Sequence, residues 1–230
     1  MFNPRIWYRQ WWGVLILVLI GICVLFTGTF FVIVARYFYQ YKKQSDFSKQ
    51  IEQLQSVDRS LVETQDDPFF GNPNAEVVIV EFSDFTCPSC KDEFYILQEV
   101  MKKYSDKIKL IYRDFPISTE DTRGRSAAIA GKCAFDQDKF WPYYEQLFTH
   151  QNEIDDEHLL AWAKQVGMNE RKFSQCLKVP KNDDEVQDDL SDGVTAGVEG
   201  TPTFFINGLR VRGAVPLNVW EQFIQGYYQE

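Results

Sequence analysis

Two cysteines separated by two residues are the part of this sequence best suited to chemistry. Cys87 and Cys90 enclose Pro88 and Ser89, and this tetrad follows the run 77–82, in which five of six residues are apolar. A short apolar run without alternation is typical of a strand buried on both faces. After the tetrad the apolar residues take helical spacing. The sequence therefore predicts a pair of thiols where a buried strand turns into a helix.

The spacing of the pair indicates what these thiols do. Two intervening residues on the first turn of a helix bring the sulfurs close enough to bond to each other. Pro88 suits that turn, because its missing N–H would have no partner within the helix. The first cysteine lies at the positive end of the helix dipole, which stabilises a thiolate, the nucleophile in disulfide exchange. We therefore expect Cys87 to attack and Cys90 to resolve.

Two other interpretations compete with redox chemistry: a purely structural disulfide, or half of a zinc site. Zinc needs four ligands, usually with a second closely spaced pair. Outside the apolar N-terminal segment the remaining candidates have no such spacing; they are Cys133, Cys176, His150 and His158. Redox chemistry is favoured, and we expect no metal and no other cofactor.

Size and composition limit the choice of partners. The 230 residues allow one domain of ordinary size plus an appendage, and 45% hydrophobic residues are ample for a core. A net charge of −9 argues against nucleic acid or anionic lipid as the main partner. Five cysteines are too few for a small domain held together by disulfides.

An uncharged run, residues 13–35, predicts a transmembrane anchor that contacts the lipid bilayer. Its 23 residues exceed the roughly 20 needed to cross a membrane. Aromatic residues flank both ends, as at membrane interfaces. The alternative is a cleaved signal peptide, but the run is long for one and Val34 precedes Ala35 at a poor cleavage site. Charge does not decide the orientation, because basic residues stand on both sides; they are Arg5 and Arg9 before the run, and Arg36, Lys42 and Lys43 after it.

The whole chain divides into four parts around this anchor. We predict a cytoplasmic tail at 1–12, the anchor at 13–35, a polar stalk at 36–66 with a helix near 47–57, and a folded domain at 67–230. Residues 69–74 are rich in turn formers and lead into the first strand.

Within the folded domain the pattern alternates strands and helices. A second strand is expected at 108–112, followed by a helical insertion at about 118–198. Asp156 and Asn169 are expected to cap two of its helices, and a further helix is expected at about 183–196. Asn207-Gly208 then joins two short runs as a hairpin, and Pro216 opens a last helix; the Asn-Gly pair is the strongest short hairpin signal.

This order resembles the DsbA-like branch of the thioredoxin superfamily, in its membrane-anchored bacterial type. The segments that carry the resemblance are EFSDFTCPSC, YRDFPI, DKFWPYYEQLF and GTPTFFING. It implies an α/β thioredoxin-like fold with an inserted helical subdomain, preceded here by a single transmembrane helix. The resemblance covers about residue 67 to the C-terminus.

The resemblance also implies roles for matching positions. Cys87 is the nucleophile and Cys90 its partner. Pro202 is the cis-proline facing them, and Thr201 before it presents backbone groups to a substrate chain. Glu81, six residues before Cys87, falls where relatives keep a buried acid that moves protons to or from the sulfurs; the alternative is a solvated glutamate at a sheet edge.

Ser89 departs from the strongly oxidising DsbA, which has histidine before the second cysteine. Serine offers no charge to stabilise the thiolate, so the redox potential stays open.

A second disulfide is reasonable on the same resemblance, because some relatives have a non-catalytic one. Cys133 and Cys176 lie on predicted helices of the insertion, among apolar neighbours. One interpretation is two buried free thiols, a common fate of unpaired cysteine. The other is a structural disulfide with no catalytic role.

The expected function is that of an enzyme, a membrane-tethered extracytoplasmic protein disulfide oxidoreductase. It would donate the Cys87–Cys90 disulfide to exported proteins with free cysteines and be reoxidised by a membrane partner of the DsbB or VKOR type. No nucleic acid is expected. The alternatives are a disulfide isomerase or reductase of the same fold, and a non-catalytic, chaperone-like binding module.

Overall fold

The computed structural model describes residues 11–52, 55–118 and 120–228, which belong to two compact units. The first unit contains a long helix, α1 (Trp11–Glu52). Its stretch Trp11–Tyr39 is long and apolar enough to cross a membrane, so the predicted anchor is a candidate span. Residues 1–10 of the predicted tail lie outside the described residues.

The sequence predicts a folded domain that begins at residue 67, but the second unit of the structure begins earlier in the chain. Within the predicted stalk, the backbone N–H of Arg210 donates to the carbonyl of Gln55 at 2.9 Å, and the N–H of Val57 donates to the carbonyl of Gly208 at 2.9 Å. Val62 is fully buried in a core cluster. The end of the predicted stalk is therefore part of the folded domain, because it covers the open edge of the sheet. The helix expected near 47–57 does not reach Val57.

A mixed sheet of five strands, counted over the described residues, forms the centre of the second unit. Its order is β1-β3-β2-β4-β5, with β2 and β3 parallel and the other pairs antiparallel. The sequence predicts a turn at residues 69–74, whereas the structure has a short strand, β1, in this segment. The strands are β1 (Phe69–Gly71), β2 (Val77–Ser83), β3 (Ile108–Asp114), β4 (Thr203–Ile206) and β5 (Leu209–Arg212).

The central strand β2 is buried along its whole length, as its unbroken apolar run predicted. Val78, Val80 and Phe82 face one core cluster, whereas the alternate residues face the other side. Asn207 and Gly208 both have positive φ, 49° and 84°, which gives the turn between β4 and β5 the backbone that Asn-Gly favours.

Helices cover the sheet and form the block between β3 and β4. The residues that begin two of them differ from expectation: Asp155, not Asp156, caps α5 by accepting from the N–H of His158, and α7 begins at Pro180. Asn169 caps α6 as predicted. The helices are α2 (Pro88–Tyr104), α3 (Arg123–Phe135), α4 (Phe140–Thr149), α5 (Asp156–Gln165), α6 (Glu170–Cys176), α7 (Pro180–Thr195) and α8 (Leu217–Tyr227).

A buried cluster of charges joins the start of the domain to this helical block. Lys132 Nζ on α3 lies 2.7 Å from Asp67 Oδ1 and 3.1 Å from Asp189 Oδ2 on α7. Arg113 on β3 lies 2.7 Å from Asp189 Oδ1 and 3.1 Å from Asp67 Oδ2. Removing one partner from such a buried group leaves an uncompensated charge, at a cost of about 3–5 kcal/mol. The cluster therefore specifies how β3, α3 and α7 pack.

A disulfide joins α3 to the end of α6. Cys133 and Cys176 are bonded, with their Cα atoms 5.7 Å apart, and they are separated by 43 positions in the sequence. The free-thiol interpretation of these two residues therefore does not hold in this structure. Asn182 donates to the carbonyl of Cys176 at 2.9 Å, which ties the bonded pair to α7.

We predict that this disulfide stabilises the fold and takes no part in exchange. Replacing Cys133 and Cys176 together by alanine should lower the free energy of unfolding by roughly 3 kcal/mol, because the crosslink restricts a long loop of the unfolded chain. Urea unfolding with and without the replacements measures this. Peptide mass mapping of unreduced protein is the direct check, and free thiols at both positions would contradict the pairing.

Candidate active site

The turn that carries the thiols is held by one buried carboxylate. Asp84 Oδ1 accepts from the N–H of Thr86 at 2.8 Å and from its hydroxyl at 2.7 Å, and Oδ2 accepts from the N–H of Ile117 at 3.0 Å. The N–H of Cys87 donates to the carbonyl of Asp84 at 3.0 Å. The end of β2 is thus bonded both to the start of α2 and to the segment after β3.

Cys87 occupies the N-cap of α2, with Pro88 in the first turn. Its Sγ is half-buried and donates to the carbonyl oxygen of Thr201 at 3.4 Å. The pKa of Cys87 is lowered to about 6, chiefly by the thiol of Cys90, with further contributions from Thr201 and the backbone amides of Cys90 and Ser89. At neutral pH the Cys87 sulfur is therefore mainly a thiolate.

Cys90 is in the opposite environment, three residues further on. Its side chain has no exposed surface. Burial raises the pKa of the Cys90 thiol far above its ordinary value, and the nearby Cys87 sulfur raises it further. Neither cysteine is in a disulfide here. This inequality favours Cys87 as the attacking sulfur and Cys90 as the resolving one.

The Thr201–Pro202 peptide bond is cis, and this loop faces the thiols. Pro202 is buried, and its carbonyl accepts from the N–H of Gly213 at 2.8 Å. Thr203 Oγ1 donates to the carbonyl of Gly200 at 2.6 Å, which closes the loop just before β4. The loop thus places the Thr201 carbonyl beside Cys87. Its predicted pairing with a substrate chain stays a prediction.

Glu81 lies on β2 with no exposed surface, so it is not the solvated edge residue of the alternative interpretation. Burial raises its pKa to about 8, which keeps the carboxyl largely protonated at neutral pH. Tyr144 on α4 donates its hydroxyl to Oε2 at 3.3 Å. A buried carboxyl that stays protonated at neutral pH has the protonation state of a general acid.

Two further buried side chains contact the site's scaffold and were missed in the sequence. Gln151 follows α4 and donates Nε2 to the carbonyl of Cys87 at 2.8 Å. Glu93 on α2 accepts from Trp220 Nε1 at 2.6 Å and from the N–H of Val215 at 2.7 Å. Burial raises the pKa of Glu93 to about 7. Glu93 could have been predicted as a buried acid, because it lies three residues after Cys90 among apolar residues of the helix. No pattern in the sequence indicates the role of Gln151.

The residues that a zinc site would need are engaged elsewhere. Cys133 and Cys176 are bonded to each other. His150 stacks on Trp162 with ring centroids 5.4 Å apart, and His158 contacts the same ring at 5.6 Å. Among the described residues, no group of three or more His, Cys, Asp or Glu side chains is arranged to hold a metal ion. The site combines a half-buried, easily ionised thiol, a buried thiol and a buried acid, which are the groups that dithiol–disulfide exchange uses.

Taken with the fold, this arrangement defines a thioredoxin-like protein with a redox-type CxxC pair. A family model described as Thioredoxin matches residues 63–226, and the chain belongs to that family. Solved structures of thioredoxin-like proteins, among them a thiol-disulfide exchange protein, share this fold, so the expected fold class is confirmed.

Two solved structures illustrate the likeness. The thiol-disulfide exchange protein alpha-DsbA2 from Wolbachia pipientis has a TM-score of 0.68 and 25% identity, covering 80% of this chain and 97% of that one. BdbD from Bacillus subtilis, in its oxidised form, has a TM-score of 0.68 and 21% identity, covering 77% and 99%. The second likeness concerns the fold alone.

Curated sequences give a relative of a different kind. The Na(+)/H(+) antiporter NhaA of Herminiimonas arsenicoxydans is 31% identical over 153 residues, which is 66% of this chain and 24% of the antiporter. NhaA 1 of Mycolicibacterium gilvum matches to the same degree over 154 residues. The chain therefore spans about a quarter of the length of these relatives, and their transport activity is not transferred to it.

Separate titration of the two thiols tests their assignment. We predict that Cys87 ionises near pH 6, because the thiol of Cys90 and nearby amides stabilise its thiolate. Thiolate absorbance in the ultraviolet, followed against pH in the reduced full-length chain, measures this. With substrates that contain a disulfide, Cys90→Ser should trap a mixed disulfide, because the Cys87 thiolate attacks the substrate disulfide, one substrate sulfur leaves as a thiolate, and no resolving thiol remains. Cys87→Ser should trap none, and the reverse pattern would contradict the roles.

Glu81 should make stability depend on pH in a definite direction. Its folded pKa is about 8 against an ordinary 4.5, so the folded state holds a proton that the unfolded state has lost across this window. The contribution of Glu81 to stability should therefore be fully present below pH 4.5 and be lost as pH rises towards 8. Glu81→Gln should remove several kcal/mol of this fall, since each pKa unit corresponds to about 1.4 kcal/mol.

Urea unfolding at acidic and alkaline pH makes the comparison. Glu99→Gln, at an exposed position on α2, is the matched control and should keep the pH dependence of the unmodified chain. An unchanged pH dependence in Glu81→Gln would contradict a buried, proton-holding carboxyl.

Proposed function

We propose that this chain is a membrane-tethered, extracytoplasmic thiol-disulfide oxidase. It gives the Cys87–Cys90 disulfide to exported proteins that have free cysteines. The observation that carries the proposal is the inequality of the two sulfurs: Cys87 is half-buried with a lowered pKa, and Cys90 is fully buried with a raised one. An accessible sulfur that leaves readily as a thiolate favours the disulfide as an electrophile towards substrate thiols.

The reaction proceeds through a mixed disulfide. A substrate thiolate attacks Cys87 Sγ, the Cys87–Cys90 bond breaks, and Cys90 leaves as a thiolate that takes up a proton. A second substrate thiolate then attacks the mixed disulfide, and the substrate leaves with its own disulfide. Cys87 remains as a thiolate, which its low pKa stabilises. The net result is an oxidised substrate and a reduced Cys87–Cys90 pair.

Catalysis in repeated cycles requires reoxidation of that pair. We propose a membrane reoxidase of the DsbB or VKOR type as the partner, because the exchange site and the partner would then be held at the same membrane. The apolar stretch Trp11–Tyr39 supports tethering by its length and composition. The proposed domain limits are 13–35 for the anchor and Gln55 onward for the folded, catalytic part.

The in-cell redox state of the two thiols tests the direction of exchange. An oxidase is kept oxidised by its partner, so we predict that alkylation trapping in acid-quenched cells finds Cys87 and Cys90 mostly bonded. A mostly reduced pair would instead indicate a reductase or isomerase. The double variant Cys133→Ala, Cys176→Ala serves as the control, because it removes the second disulfide. Outside the apolar helix, alkylation then reports on Cys87 and Cys90 alone.

Double replacement of the thiols separates catalysis from binding. A chaperone-like module would keep its effect on exported proteins in Cys87→Ala, Cys90→Ala, whereas an oxidase would lose it. We predict loss of substrate disulfides in cells that express this variant, measured by alkylation of secreted substrates. Retained oxidation would contradict the proposal.

The side of the membrane is tested by its own prediction. A reporter fused after Glu230 should be active only on the extracytoplasmic side, because disulfides persist in oxidising compartments. Two reporters are informative together: one that works only outside the cytoplasm and one that works only within it. Activity of the cytoplasmic reporter alone would overturn the orientation.

A further inference from the structure

A compact group of partnerless polar atoms lies beneath Cys90. Glu81 and Ser83 alternate with Val80 and Phe82 along β2, so they point away from the cluster that the latter two face and towards the side of Cys90. In the parallel register, Glu81 pairs with Tyr112 and Ser83 pairs with Asp114. Four polar groups therefore share one buried face of two adjacent strands.

Each member of this group has an atom without a hydrogen-bond partner in the described part of the chain: Glu81 Oε1, Ser83 Oγ, Tyr112 Oη and Asp114 Oδ1. All four side chains are at most 2% exposed. A buried polar atom without a partner is costly, and most folded proteins avoid it. Four of them share one face of β2 and β3, and Ser83 and Tyr112 of this group interact with the Cys90 thiol.

Ser83 is the member placed between the two groups that exchange a proton. Its hydroxyl lowers the pKa of the Cys90 thiol, opposing the larger effect of burial, and it likewise lowers the pKa of the Glu81 carboxyl. It does not form a hydrogen bond of good geometry with either in this structure. A hydroxyl rotates freely and both donates and accepts, so it can serve each neighbour in turn.

We propose that the Ser83 hydroxyl relays a proton between the Glu81 carboxyl and the Cys90 sulfur. This inference rests on the dithiol–disulfide exchange proposed above. When an incoming thiolate attacks Cys87 Sγ, the disulfide breaks and Cys90 leaves as a thiolate. Ser83 gives its proton to that sulfur and takes the proton of the Glu81 carboxyl. The incoming sulfur is oxidised, the Cys90 sulfur is reduced to a thiol, and Glu81 becomes a carboxylate.

The other titratable groups around the relay come from three elements. Glu93 lies on α2, Tyr144 on α4, and Tyr112 and Asp114 lie on β3. Tyr144 already donates to Glu81 Oε2, which leaves Oε1 for the proton that moves. Burial raises the pKa of Asp114 to about 8, although the charge of Lys132 opposes this increase. This second acid lies opposite Ser83 on the neighbouring strand.

The test uses the full-length chain in detergent, oxidised at Cys87–Cys90 and reduced by a small dithiol under single-turnover conditions. We expect Ser83→Ala and Glu81→Gln each to slow reduction about tenfold, because general acid catalysis of thiolate departure is lost. The double variant should be about as slow as either single variant, because both belong to one pathway. An unchanged rate in Ser83→Ala, or a double variant slowed about a hundredfold, would overturn the relay.

Two controls separate the relay from a structural effect. Ser174→Ala removes a serine hydroxyl from α6 and should leave the rate unchanged. The pH titration of the Cys87 thiolate in the Cys90→Ala background should be the same with and without Ser83→Ala, since Ser83 is not among the groups that lower it. A shifted titration would mean that the substitution disturbs the whole turn, and it too would overturn the relay.

A measurement on the unmodified chain keeps the test decisive if Ser83→Ala does not fold. Two protons move together in the relay, so the reduction rate should fall as a quadratic function of the deuterium fraction of the solvent. A linear dependence would overturn it. Because the small dithiol replaces exported substrates, a reduced pair in cells would refute the oxidase proposal while leaving this result intact.

Discussion

The structure depends on giving two sulfurs, two residues apart, opposite solvation. A thiolate needs hydrogen-bond donors and some contact with water, whereas a resolving thiol must stay neutral until it is needed. The N-terminus of α2 meets both demands, because the N-cap residue Cys87 lies at the open end of the helix and Cys90 lies one turn inside. The buried strand β2 and the Asp84 carboxylate hold that helix end in place.

The same arrangement makes the core unusually polar beneath the site. Glu81, Glu93 and Asp114 are buried acids whose pKa values are raised, chiefly by burial. Apolar residues of similar size would make a more stable core. Acids that hold protons at neutral pH are, however, what a reaction needs when it produces and consumes thiolates in a place without solvent. The proposed exchange reaction accounts for acids at this point of the fold, where apolar residues would favour stability.

The helical insertion does more than cover the sheet. Gln151, just after α4, bonds to the Cys87 carbonyl, and Tyr144 within α4 bonds to Glu81, so the insertion contacts both the exchange turn and the acid below it. The disulfide joins α3 to α6, and the charged cluster around Lys132 joins α3 to α7, so the helices of the block are tied to one another. A rigid insertion therefore helps to fix the geometry of the thiols.

The sequence by itself determined the features that depend on local spacing and periodicity. The buried strand, the CxxC turn, the Asn-Gly hairpin, the apolar helix and the helical block all follow from such patterns. The thioredoxin-like fold was expected from the resemblance of four segments to a known family. Only the tertiary structure decided which distant residues meet. It paired Cys133 with Cys176, placed Gln151 on Cys87, added β1 and the segment after Gln55 to the domain, and set Ser83 opposite Asp114. Burial and hydrogen bonding depend on neighbours far along the chain, so no local pattern encodes them.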